Sequence, residues 1–96
     1  MPTYVSLLNW TDQGIRDVKA TVQRADAAQE LAKKLGGSFQ TYWTVGPYDI
    51  VAVSQFPDDE TATAFLLQLG SLGNVRSTTL RGYDRGEMEG ILAKLG

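Results

Sequence analysis

The sequence predicts an α+β domain of the ferredoxin-like type: a four-stranded antiparallel sheet in βαββαβ order, followed by a C-terminal helix. Three observations carry that expectation. Apolar spacing alternates between the strand period of two and the helical period of about 3.6, in the order strand, helix, strand, strand, helix, strand, helix. Gly, Pro and Asp punctuate the changes. The chain has 96 residues, the size of one domain, and no stretch reads as a linker or a second core.

The first strand is expected from Thr3 to Trp10, where Tyr4, Val5, Leu7, Leu8 and Trp10 place β-formers on both faces. Thr11 and Asp12 then form a helix start, a hydroxyl to cap free amides and a carboxylate at the positive end of the dipole. A helical stripe of Ile15, Val18, Val22, Ala25, Ala28, Leu31, Ala32 and Leu35 runs to Gly36 and Gly37. The weak helix formers Thr21 and Val22 mark the expected place of a kink.

A second strand from Ser38 to Val45 and a third from Tyr48 to Phe56, separated by Gly46 and Pro47, read as a hairpin. Pro57 and Asp58 open the next helix, in which Ala62, Phe65, Leu66 and Leu69 follow the spacing that packs one face on a sheet. Gly70 and Gly73 bracket its end. The fourth strand is expected from Asn74 to about Tyr83. Asp84 with Glu87 then resembles a capping box ahead of a short helix carrying Met88, Ile91, Leu92 and Leu95.

Strands one and three are central in this topology, and both are apolar on both faces. Tyr4, Leu8 and Trp10 oppose Val5 and Leu7, while Ile50, Ala52 and Phe56 oppose Val51 and Val53. Two helices cover only one face of a sheet, so the second face needs another cover. A second copy of the chain is the expected cover, reaching some of Tyr4, Leu8, Trp43, Val51 and Val53. The alternative is that the terminal helix folds back over the open face.

Composition excludes several functions. With no His and no Cys, the chain has no imidazole or thiolate for haem, zinc, iron–sulfur or nucleophilic chemistry. No glycine loop has P-loop or dinucleotide spacing, so no cofactor is expected. A formal charge of -2 without a Lys/Arg cluster gives no footprint for nucleic acid. The N-terminal residues carry no basic lead or apolar run, and no stretch is long enough to span a membrane, so a cytoplasmic location is expected. Asp58, Asp59 and Glu60 lie together, and a helix N-terminus accounts for them without a metal.

The candidate ligand-binding residues are Asn9, Trp10, Trp43, Tyr48, Asp49 and Arg76. Asp49 stands beside Ile50 and Val51, where a strand ordinarily carries no charge, and so needs a partner. It either caps the bend or pairs with an Arg such as Arg76, or it sits with Tyr48 at the rim of a cleft walled by Trp10, Tyr42 and Trp43. Arg76 could hold an anion or discourage edge-strand aggregation. Asn9, Trp10 and Thr11 occupy the turn from strand to helix, where ligands often meet free amides. Gly46, Pro47, Gly73 and Asn74 are expected to shape the turns.

Together, the segments Asn9 to Gly14, Gly46 to Val51, Pro57 to Glu60 and Leu69 to Arg76 resemble the GYD-domain family over nearly the whole chain. The signature maps to Gly46, Tyr48 and Asp49, although Gly82, Tyr83 and Asp84 are also contiguous. The resemblance implies a prokaryotic protein with a dimeric α/β-barrel assembly and an activity that is largely uncharacterised for the family. Its superfamily includes haem-degrading and cofactor-free monooxygenases, lactone isomerases and effector-sensing modules; the haem degraders rely on a histidine this chain lacks. The leading expectation is a homo-oligomeric module that binds a small molecule. A cofactor-free monooxygenase or isomerase acting on a small aromatic or unsaturated substrate is one alternative, and a purely structural assembly module is another.

Overall fold

The computed structural model describes residues 1–96. Strand β1 (Thr3–Trp10) leads into a short helix α1 (Asp12–Arg16), a 3-10 turn over Val18–Ala20 and helix α2 (Thr21–Lys34). Strands β2 (Ser38–Trp43) and β3 (Ile50–Gln55), helix α3 (Asp59–Ser71), strand β4 (Val75–Gly82) and helix α4 (Arg85–Leu92) complete the chain. The strands form one antiparallel sheet in the order β2-β3-β1-β4, so β1 and β3 are central as expected.

The first helical region differs from its expected form. It is two helices rather than one, broken at Asp17, whose backbone (φ -115°, ψ 44°) lies outside the helical range. Thr21, the expected kink, is instead where α2 begins. The consequence reaches the apolar stripe: Ile15 and Val22 are exposed, and only Ala28 and Ala32 of α2 are fully buried. The hairpin is also looser than expected. β2 stops at Trp43 and β3 starts at Ile50, because the Thr44 N–H bonds the Asp49 carbonyl and its hydroxyl donates to the Tyr48 carbonyl. Val45 is therefore left wholly exposed.

The helices cover one face of the sheet. Tyr4, Leu8, Ile50, Ala52 and Phe39 point toward them and meet Phe56, Ala62 and Phe65 in the core. Phe65 lies with its ring centroid 5.0 Å from both Phe39 and Phe56. Register pairs Val5 with Val53 and Leu80, and Leu7 with Val51, so these residues share the other face. Nothing in the subunit covers them, and Val53 and Leu80 are exposed. Tyr4, Leu8 and Trp43, which were among the residues expected on the open face, belong to the helix face by the alternation along their strands.

Helix α4 does not fold back over the open face. It is closed by the expected capping box of Asp84 and Glu87, yet Met88 and Leu92 remain exposed, as does Leu95 beyond it. Its one hydrogen bond back to the sheet joins Glu87 to Arg81, whose guanidinium lies 4.6 Å from the Tyr83 ring centroid. The radius of gyration is 14.6 Å, against about 12.5 Å for a compact chain of this length.

Candidate functional site

The segments that carry the signature meet at one end of the sheet, where β1 ends and β3 and β4 begin. Asp49 is the hub on one side. Its Oδ2 accepts the Trp10 N–H at 2.9 Å, and its own N–H donates to the Leu8 carbonyl at 2.9 Å. Its partner is thus backbone, with no ion pair to Arg76. The Asn9 amide, oriented as its surroundings require, donates to the Pro47 carbonyl at 3.1 Å. Gly46 holds φ +139°, a backbone that L side chains rarely adopt, and this lets the loop turn back to deliver Tyr48 and Asp49.

On the other side, Thr11 caps α1 by accepting the Gly14 N–H, while its hydroxyl donates to the Gly73 carbonyl. The Thr11 N–H bonds the Asn74 carbonyl at 3.1 Å, and the Gln13 amide reaches the Leu72 carbonyl and the Asn74 side chain. Gly14 is wedged against this loop: a Cβ there would lie 2.0 Å from the Asn74 carbonyl oxygen. α1 is therefore docked on the α3–β4 turn, which explains why the helix stops after a single turn and the chain redirects at Asp17.

Beside this junction the helices leave a half-open cavity of about 280 Å³ between α2, α3 and the sheet. Ala25, Ala27 and Ala28 of α2 line it together with Phe39 and Thr41 of β2, and side chains as small as alanine fill little of the space. The walls are mainly apolar, with Arg24, Gln68 and Asn74 as polar points. Trp10 forms part of the wall, and its indole N–H is closed from water without an acceptor.

Of the six candidate ligand residues, Trp10 alone reaches the cavity; Asn74 reaches it from the turn residues. Trp43 bridges β2 to α2 by donating to the Thr21 hydroxyl at 3.0 Å and is half exposed. Asn9 and Arg76 are register partners on the open face, with Arg76 exposed. Tyr48 is half-buried in the loop, and Tyr42 lies exposed on the open face. Sequence reasoning missed Arg24. Its signal was present, since Arg24, Ala28, Leu31 and Leu35 share one helical stripe, and a cation on an apolar stripe invites a question.

The three acids at the start of α3 have structural roles at two positions. Asp58 accepts the Thr61 N–H at 2.8 Å as the helix cap, and the Thr61 hydroxyl, followed by that N–H, holds its carboxyl below the usual range. Asp59 accepts the Tyr4 hydroxyl, and burial, helped by that carboxylate, pushes the Tyr4 phenol up to about 12. No group of three acidic side chains converges as a metal site, and no helix is long and apolar enough to cross a membrane.

Comparison with known proteins agrees with this geometry. The GYD domain family model matches residues 4–92. A protein of Thermus thermophilus named "Glutamine synthetase and cystathionine beta-lyase binding protein" is 34% identical over 82 residues, covering 83% of this chain and 86% of that protein. The crystal structure of TTHA0845 from the same organism superposes with a TM-score of 0.56 at 29% identity, covering 88% of this chain and all of the other. The match runs from within β1 to the end of α4 and takes in every segment that builds the junction: the chain belongs to the GYD-domain family.

Proposed function

We propose that this chain is a homo-oligomeric binding module that holds a small, mainly apolar molecule between its helices and its sheet. The observation that carries the reading is the cavity of about 280 Å³ beside the signature junction, close to the lower end of the roughly 300–1,000 Å³ of ligand pockets. Its walls are set by small residues of α2 rather than by a collapsed core, and its polar points are few, as in sites that use apolar burial for affinity.

Self-association is supported by surface. The subunit exposes 6396 Å², against roughly 5,400 Å² expected for a monomer of its mass, an excess of about 1,000 Å². One partner in a standard interface buries about 800 Å². Surface for it is offered by the outer sheet face, where Val53 and Leu80 are exposed beside part-buried Val5, Leu7 and Val51, and by the exposed Met88 and Leu92 of α4. The relative's name favours a second reading of the same surface, in which it meets another protein.

The test of the ligand site uses the apolar fluorophore 1-anilinonaphthalene-8-sulfonate on the intact protein and on Ala25→Phe, which fills the cavity from α2. Saturable binding at one site per chain, lost in the variant, supports the site. Equal binding by a folded Ala25→Phe would place the fluorophore elsewhere and overturn it. Sedimentation across micromolar concentrations tests assembly: a dimer or larger species is expected, and a monomer throughout would leave the surface to a different protein.

A further inference from the structure

We propose that the cavity selects a small apolar carboxylate, with Arg24 reading the acid group; the inference rests on the ligand reading above and names its chemistry. Arg24 lies on the α2 stripe that faces the sheet, so its side chain borders the cavity rather than bulk water alone. One guanidinium nitrogen, Nη2, donates to the Gly14 carbonyl at 3.1 Å, which ties the side chain to α1 and fixes its reach. The rest of the fork has no protein acceptor.

Arg81 and Arg85 are ion-paired, whereas Arg16, Arg24 and Arg76 have no carboxylate within 4.0 Å, and of these three only Arg24 lines the cavity. A half-buried guanidinium, braced by one neutral carbonyl beside an apolar volume, is a charge without its counter-charge. A planar carboxylate suits the unmet part of the fork, because guanidinium donors match its two oxygens in direction and spacing. The apolar body would then lie along Leu8, Ile50, Leu31 and Leu69, away from the charged end. On the Trp10 wall the indole N–H is a second donor that the fold leaves unmet.

A basic amine or a sugar is disfavoured by the same features. No carboxylate lines the cavity to balance a cation, and Thr21, Thr41, Gln68 and Asn74 are too few to satisfy a ring of hydroxyls. A neutral hydrocarbon would fill the volume but leave the Arg24 charge unpaired.

The experiment titrates octanoate and phenylacetate, and separately their neutral amides, into the full-length protein by calorimetry at pH 7. It is repeated with Arg24→Gln and Arg24→Lys, with melting temperatures confirming the fold. The acids should bind at least tenfold more tightly than the amides. Arg24→Gln should abolish that preference, bringing acid and amide affinities together, and Arg24→Lys should restore part of it. Equal binding of acid and amide to the wild type would overturn the carboxylate inference and leave the ligand site standing. An acid preference that survives Arg24→Gln would overturn the role of Arg24. Failure of the acids, the amides and the fluorophore alike would overturn both readings together.

Discussion

The two ends of the sheet are built by different means. At the end where β1 meets β3 and β4, backbone and side-chain hydrogen bonds from Thr11, Gln13, Thr44 and Asp49 tie three loops into one junction. At the opposite end the chain leaves the sheet through Arg81 and Tyr83 and projects α4 with its apolar residues exposed. One end is tied together by polar bonds within the subunit, with the Trp10 indole N–H left over; the other leaves apolar side chains exposed. The contrast sets a hydrogen-bonded junction beside the cavity against an end whose apolar residues stay exposed.

The largest effect is expected at the tightest contact of the junction. Gly14→Ala puts a methyl group 2.0 Å from a backbone oxygen that no rotamer change can move. α1 must lift from the α3–β4 turn, and a loss of about 3 kcal/mol is expected from chemical denaturation. A loss below about 0.5 kcal/mol would show that α1 docks loosely and that the two ends differ less than described.

Asp49 should rank next. Its alanine variant leaves the Trp10 N–H without an acceptor, so Asp49→Ala should cost roughly 1 to 3 kcal/mol, while Asp49→Asn keeps an acceptor oxygen and should cost less. Equal losses would mean that charge, rather than the bond, is what the junction uses. Thermal melts of both variants decide, and retention of a bound molecule on purification tests whether Asp49 also acts on the ligand.

At the far end Tyr4 gives a smaller effect with a pH signature. Tyr4→Phe removes one hydrogen bond to an exposed carboxylate, about 1 kcal/mol at neutral pH. The folded-state phenol is raised to about 12 from 10.0, so its contribution is fully present below the lower value and is lost as pH rises through the higher one. Wild type should therefore lose stability over that window relative to Tyr4→Phe, in denaturation curves taken at several alkaline pH values. Parallel pH profiles would show that Tyr4 is not held as its surroundings imply.

Much of this architecture was legible in the sequence because it depends on local pattern. The ends of β1 were legible, as were the Asp84 and Glu87 capping box and the burial of Ala62 and Phe65, since each follows from spacing or from one capping side chain. The break at Asp17 was not, because it answers to Gly14 pressing on Asn74, sixty residues away in sequence. The hairpin loop was misjudged because Thr44, with no turn signature of its own, supplies the bonds that end the ladder. The candidate site was only partly legible. Gly46, Tyr48 and Asp49 marked the junction, but a cavity is a shape left by Ala25 and Ala28, and small residues send no signal by type.

The smallest effect on the subunit carries the most information about assembly. Met88 and Leu92 are about half exposed, and α4 is bonded to the sheet only through Glu87 and Arg81. Met88→Glu with Leu92→Glu should therefore change subunit stability by no more than about 0.5 kcal/mol, as for surface positions without special contacts. In an assembly the same change would place two carboxylates against an apolar partner surface, where unpaired charge is strongly disfavoured. Dissociation should then appear in sedimentation at concentrations where the wild type stays associated, with the circular dichroism of the fold unchanged. Val53→Lys, on the open sheet face, is the companion variant. If it dissociates the protein and the helix variant does not, the sheet face alone joins the copies and α4 is left for another partner. If both dissociate it, the interface runs from the centre of the sheet to the end of α4, and the far end of the molecule is the half that a second copy completes.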